Sequence, residues 1–267
     1  MPNSHLIRFV YIGMLVAACS DRTATSRCPD FAVLGPASID GVSLARNSVV
    51  LTLDEAPGEE TTAVARFLAD ANISATFFVT ARRLRDGHAV VAELRGLGHT
   101  IGIQGFDATP WSEVAAIGPW MRATDFEAAA FYTRNFFPVR PPDGQFVADD
   151  IATLNQVGLG RLIGPIDWDR RAAPDMDNRQ CVTGKTTAAD CAKKYTEALA
   201  ARGRGIIRVM DNTAGLTGFM NELVSQVVAA GFTFEPLARV PDLTARMTRA
   251  GVSNFADAAV AADCREY

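Results

Sequence analysis

Short apolar runs of strand length alternate with amphipathic stretches of helix length from about Phe31 onward. This alternation predicts an α/β fold on a mainly parallel sheet. Residues 49–53, 75–80, 99–103, 138–140, 159–163, 205–210 and 232–234 read as strands. The segment 59–71 reads as a helix with Val64, Phe67 and Leu68 on one stripe. Further helices are predicted over 89–97, 121–135, 148–156, a stretch ending at Ala201, and 218–230. A loop through Trp111 and Pro119 and an insertion over 170–190 interrupt the rhythm. There is no internal repeat and no low-complexity tract.

The N-terminus departs from this pattern. His5 and Arg8 precede an apolar segment from Phe9 to Ala18, shorter than the roughly 18 residues of a membrane-spanning helix. It reads as a signal peptide. The segment ends Val16-Ala17-Ala18-Cys19, which resembles a bacterial lipobox and implies that Cys19 becomes the lipidated first residue of the mature chain. An ordinary signal peptide with an incidental Cys is the alternative. We therefore divide the chain into a signal peptide (1–18), a lipidated tether (19–29, polar from Ser20 to Arg27) and a folded domain (30–267). More than one acyl chain would anchor it stably in a membrane. Ser20, where a retention Asp would stand, favours the outer membrane or periplasmic face of a bacterial envelope.

Composition narrows the partners. The 267 residues, 48% hydrophobic, suffice for one sizeable core. A net charge of −4 carries no basic excess, which argues against nucleic acid. Beyond Cys19 there remain Cys28, Cys181, Cys191 and Cys264, an even number in an exported chain. Four cysteines allow three pairings; Cys181–Cys191, through Gly184, and Cys28–Cys264, tying the ends together, are preferred. No C-x-x-C and no nearby His point to a zinc site.

Candidate chemistry begins at Val49-Val50-Leu51-Thr52-Leu53-Asp54-Glu55-Ala56-Pro57, an apolar strand delivering two carboxylates into a turn, followed by Ala75-Thr76-Phe77-Phe78-Val79. These segments resemble the start of the polysaccharide deacetylase (NodB-homology) family, whose first strand ends T-F-D-D-G-P and whose second reads A-T-F-F-V. The resemblance implies an incomplete (β/α)7 barrel with its site at the carboxyl ends of the strands. It assigns Asp54 as catalytic base and places Glu55 where a metal-binding Asp usually stands. Ala56 replaces the family's Gly, so a positive φ there would carry a penalty.

The later motifs are partly lost. Gly98-His99-Thr100-Ile101-Gly102 keeps the family's lead-in, but Gln104 and Ala108 occupy the positions of two metal-binding histidines. Zinc wants imidazole, thiolate or carboxylate donors, so no zinc or other cofactor is expected. Asp107 is read as a loop-capping residue, with a weak hard-cation site beside Glu55 as the alternative. His99 is read as packed and His88 as exposed. Arg140-Pro141-Pro142-Asp143-Gly144 resembles R-x-P-[YF]-G, which implies that Arg140 partners Asp54. Asp167-Trp168 resembles the Asp-Trp motif lining the groove, Asp167 as catalytic and Trp168 as a sugar platform or a packed ring. The strand Gly205-Ile206-Ile207-Arg208-Val209-Met210-Asp211 puts Met210, which holds no transferable proton, where the family's general-acid His would be. Gln104 and Asp211 complete the predicted groove lining. Two readings follow: a silent or impaired homologue binding envelope glycan or an envelope protein, and an active hydrolase using Asp54, Arg140 and Asp167 without the usual metal site.

Overall fold

A computed structural model describes residues 34–128, 137–142, 144–156, 162–168, 178–179 and 186–249. Its strands are β1 (Leu34–Ile39), β2 (Ser48–Ala56), β3 (Thr76–Thr80), β4 (Thr100–Gly105), β5 (Phe137–Pro138), β6 (Leu162–Ile166), β7 (Arg204–Met210) and β8 (Thr233–Phe234). The helices are α1 (Thr61–Asp70), α2 (Ala81–Gly96), α3 (Ile117–Ala128), α4 (Ala148–Gln156), α5 (Ala188–Arg202), α6 (Leu216–Ala229) and α7 (Pro241–Arg249). None of these helices is long and apolar enough to cross a membrane.

Every strand pair is parallel. One sheet runs β4-β3-β2-β7, with β8 on the first residues of β2, and the other runs β1-β6-β5. Among the described residues a single bridge, Ile103 to Val139, joins them just beyond β5. The result is an open ring, β7-β2-β3-β4-β5-β6-β1, the incomplete barrel that the sequence predicts. Among the described residues no ladder closes β1 onto β7.

Alternation along β2 builds two cores. Val49, Leu51 and Leu53 face outward, where they pack with Val64 and Leu68 of α1, Leu84 and Val91 of α2, and Phe219 and Leu223 of α6. Val50 faces inward with Phe78, Ile163 and Ile206, and meets Leu243 and Met247 of α7. Because β2 is buried on both faces, it reads as a nearly continuous apolar run. Its buried polar residues, Ser48, Thr52 and Asp54, alternate with the outward apolar set and fall on the inward side.

Several elements differ from the sequence reading. α2 begins at Ala81 rather than 89, because Arg82, Arg83, Arg85 and Gly87 conceal its first turns. Gly87 is a close-approach glycine: a Cβ there would lie 2.3 Å from Cγ of Pro57. β1 is a strand that the apolar pattern does not predict, since Gly35 and Pro36 break its run, and α7 lies beyond the last element predicted. The strand predicted over 159–163 is found at Leu162–Ile166, around Gly164-Pro165, which reads as a turn in sequence. α3 starts at Ile117, ahead of the predicted 121.

His99 is packed, as expected. Its Nδ1 accepts from the Ala75 N–H at 3.2 Å, so Nε2 is the nitrogen that donates to the Ala65 carbonyl at 2.9 Å. Burial pushes its pKa below the ordinary value. His88 is exposed on α2. Cys191, fully buried on α5, is disulfide-bonded. Cys19, Cys28, Cys181, Cys264, Asp143, the signal peptide and the tether lie outside the described residues.

Candidate functional site

The inward carboxyl ends of β2, β4 and β7, with the segments after β5 and β6, converge on one buried ion pair. Asp54 and Arg140 are both fully buried, and Arg140 Nη1 donates to Asp54 Oδ1 at 2.7 Å. The same Nη1 lies 2.7 Å from Thr52 Oγ1, which itself donates to the Ile207 carbonyl at 2.8 Å. Arg140 Nε donates to the Ile166 carbonyl and Nη2 to the Asp167 carbonyl, each at 3.1 Å. The guanidinium also lies 4.2 Å from the centre of the Phe78 ring. Burial pulls the Arg140 pKa below its ordinary value, and the Asp54 carboxylate opposes that shift. The pairing predicted for Asp54 and Arg140 is what the geometry contains.

Gln104 completes the pair from β4. Its Nε2 donates to Asp54 Oδ2 at 3.2 Å, while its Oε1 accepts from the Glu55 N–H at 2.8 Å. Both carboxylate oxygens of Asp54 are thus occupied, and both ends of the amide are spent. The sequence places Gln104 on the groove wall as a ligand contact. The structure buries it as the link between the two acidic residues.

Glu55 departs from strand geometry at φ 60°, and the β2–β3 register shifts between Asp54 and Ala56. The left-handed residue is therefore Glu55, not Ala56. For a non-glycine residue this costs on the order of 1–2 kcal/mol, offset by the bond from its N–H to Gln104. The kink turns the Glu55 side chain away from Asp54. Its Oε2 accepts from Asn212 Nδ2 at 2.6 Å, and its Oε1 lies 3.6 Å from Arg179.

These residues do not fit the divalent metal that the resemblance implies. Gln104 offers only an amide already bonded at both ends, and Ala108 has no donor and is exposed. Asp107 holds its own loop: Oδ1 accepts from the Thr109 N–H at 3.0 Å, and Oδ2 pairs with Arg82 at 2.8 Å. Among the described residues no three potential ligands gather.

The remaining predicted residues surround the pair. Asp167 approaches Arg140 through its carbonyl, while its Oδ1 accepts from the Trp168 N–H at 2.8 Å. Trp168 is buried, and the Arg208 guanidinium lies 3.8 Å from its ring centre. Met210 pairs in register with Asp54, and its backbone is held by Asn178. Asp211 is fully buried. Its N–H donates to the Asp54 carbonyl at 2.8 Å, and its Oδ2 accepts from the Gly58 N–H at 2.8 Å and from the Thr61 hydroxyl. Its other oxygen is buried without a partner. Burial raises its pKa to about 6, although the Thr61 and Gly58 bonds work against the shift. Asp211 therefore fastens the end of β7 to the start of α1.

Thr52, Phe78, Thr61, Asn178, Arg208 and Asn212 escaped sequence reasoning. Period-two alternation held a signal for two of them: Thr52 is two residues before Asp54, and Arg208 two before Met210, on the same inward faces.

Residues 41–160 match the family model described as polysaccharide deacetylase. No curated protein matches the sequence. Among solved structures, a CE4 family pseudoenzyme from Bacillus anthracis superposes with a TM-score of 0.61 at 15% identity, covering 77% of this chain and 69% of its own. The chitin deacetylase of the fungal pathogen Colletotrichum lindemuthianum gives 0.58 at 18% identity, covering 78% and 91%. The catalytic domain of peptidoglycan N-acetylglucosamine deacetylase from Eubacterium rectale gives 0.57 at 20% identity, covering 75% and 93%. Likenesses this distant establish the fold.

Two outcomes follow from the site. Replacing Arg140 by Met strands a buried carboxylate, so urea unfolding should show a loss of roughly 3–5 kcal/mol; a loss below 1 kcal/mol would mean that the pair is not the anchor described. Asp211 gives a pH signature. Its folded pKa of about 6 lies above the ordinary 3.8, so folding takes up a proton between those values, and stability falls as pH rises through them. Relative to Asp211→Asn, the wild type should lose on the order of 3 kcal/mol between pH 4 and pH 7. Parallel stability profiles for the two proteins would contradict the assignment.

Proposed function

We propose that the protein is a divergent member of the polysaccharide deacetylase family, whose model residues 41–160 match, and a catalytically silent or strongly impaired homologue of those enzymes. It would be held on the bacterial envelope through lipidated Cys19 and bind acetylated glycan, of peptidoglycan or chitin type, or an envelope protein in its groove. The observation that carries the silent reading is the Gln104 amide, which bonds Asp54 and the Glu55 N–H where the family places a metal-binding His. A base must meet the water or hydroxyl it deprotonates. Asp54 is fully buried, with hydrogen bonds from Arg140 and Gln104 on its two oxygens, and so is shielded from solvent water.

Two further features support the same reading. Met210 stands in register with Asp54 and has no proton to give a leaving amine. General acid catalysis typically contributes 10²–10⁴-fold, so this loss alone is severe. The glycan class is supported by the fold neighbours, whose own names specify chitin and peptidoglycan deacetylases, and the silent reading by a neighbour named as a pseudoenzyme. The Val16-Ala17-Ala18-Cys19 segment supports the anchor. Cysteines at 28, 181, 191 and 264 suit the oxidising side of a membrane, with Cys181–Cys191 and Cys28–Cys264 as the proposed bridges. The preserved Asp54–Arg140 pair favours the second reading, an active deacetylase with an unconventional or absent metal site.

Acetate release from chitooligosaccharide and peptidoglycan separates the two. The wild type should release no more than Asp54→Asn does. Combining Gln104→His, Ala108→His and Met210→His, with zinc supplied, should raise release above both. Robust wild-type turnover abolished by Asp54→Asn would establish the active enzyme instead.

A further inference from the structure

The inward face of β7 carries Ile206, Arg208 and Met210, in register with Val50, Thr52 and Asp54 of β2. Arg208 thus lies one layer below Met210, beside the ion pair. Its environment is unusual for a guanidinium. The side chain is half-buried, and its Nε is buried without a hydrogen-bond partner. Among the described residues its close partner is the Trp168 ring, and no carboxylate forms an ion pair with it.

The nearby acids are already engaged. Asp54 serves Arg140 and Gln104, and Asp167 Oδ1 accepts from the Trp168 N–H. A second cation is near: Arg140 lies 5.6 Å from the centre of the same Trp168 ring, and its charge and that of Arg208 oppose each other. Partial burial of a guanidinium beside another cation is unfavourable unless an anion joins them. An arginine fork matches a carboxylate with two parallel hydrogen bonds.

The topology leaves an opening for that anion. β1 ends at Ile39, opposite Ile166, and the chain then turns at Gly41 against Ile206, where a Cβ would lie 2.9 Å from the Ile206 nitrogen. Beyond that point Trp168, following β6, and Arg208, on β7, meet across the seam of the ring, and among the described residues no strand lies between them. A ligand at the carboxyl ends of the strands would reach the exposed part of Arg208 there.

We propose that Arg208, stacked on Trp168, is the recognition subsite for a carboxylate carried by the sugar ligand, so that the groove selects an acidic glycan over a neutral one. This rests on the glycan-binding reading above. Trp168 holds the guanidinium plane fixed, and the carboxylate supplies the missing counter-charge.

The test compares neutral chitotetraose with its C6-oxidised counterpart, whose hydroxymethyl groups have become carboxylates. Calorimetry on the full mature chain should show the oxidised oligomer binding about ten-fold tighter, as expected for a charge-assisted hydrogen bond. That preference should shrink with added salt and disappear in Arg208→Met, which should still bind the neutral oligomer. Equal binding of both oligomers by the wild type, or a preference that survives Arg208→Met, would overturn the subsite and leave the glycan reading intact. Binding of neither oligomer would reject the glycan reading, and acetate then decides the subsite alone. A saturable shift of the Trp168 indole signal that is lost in Arg208→Met would uphold it, and no shift would overturn it. Should Arg208→Met fail to fold, Arg208→Gln takes its place in every arm.

Discussion

The buried pair of Asp54 and Arg140 is the constraint that orders the carboxyl end of this barrel. Four segments meet in it: β2 supplies Thr52 and Asp54, β4 supplies Gln104, the chain beyond β5 supplies Arg140, and the end of β6 supplies the carbonyls of Ile166 and Asp167. An isolated charge in such a place would be strongly unfavourable; two charges are tolerated because nearly every donor finds an acceptor. The pair therefore acts as a junction between two sheets that, among the described residues, share only one bridge, Ile103 to Val139.

Gln104 shows how a site can keep its shape with a different set of side chains. A metal normally draws carboxylates together by charge. Here a neutral amide instead joins the Asp54 carboxylate to the Glu55 backbone, donating to the first and accepting from the N–H of the second. Glu55 is then free to turn outward to Asn212, and Asp211 ties β7 to α1 from the other side. Gln104 and Glu55, standing where the family pattern has His and Asp, are each held by local hydrogen bonds, whereas Ala108 and Met210 bring no polar side chain to the site.

Much of the fold was legible in the sequence, because a parallel barrel writes itself as apolar strands between amphipathic helices. β2, β3 and β7 lie where the periodicity puts them, and Arg140 pairs with Asp54 as the resemblance implies. What stayed hidden was hidden for physical reasons. β6 contains Gly164 and Pro165, and β1 contains Gly35 and Pro36, residues that normally mark turns. The opening turns of α2 are masked by charge and by a glycine needed against Pro57. In the site, the fate of Gln104 depended on whether its amide faced the groove or the acids, which spacing does not encode. Arg208 was read as part of a hydrophobic strand and nothing more.

The central claim is that the acidic centre is satisfied by its own hydrogen bonds and does not hold a metal. The direct measurement is the unfolding midpoint of the chelator-stripped protein, with and without a several-fold excess of zinc. A ligand that binds only the folded state stabilises it by RT ln(1 + [L]/Kd). The account predicts no change in midpoint on adding zinc. A midpoint that rises with zinc concentration, and no longer does so in Glu55→Ala, would contradict it.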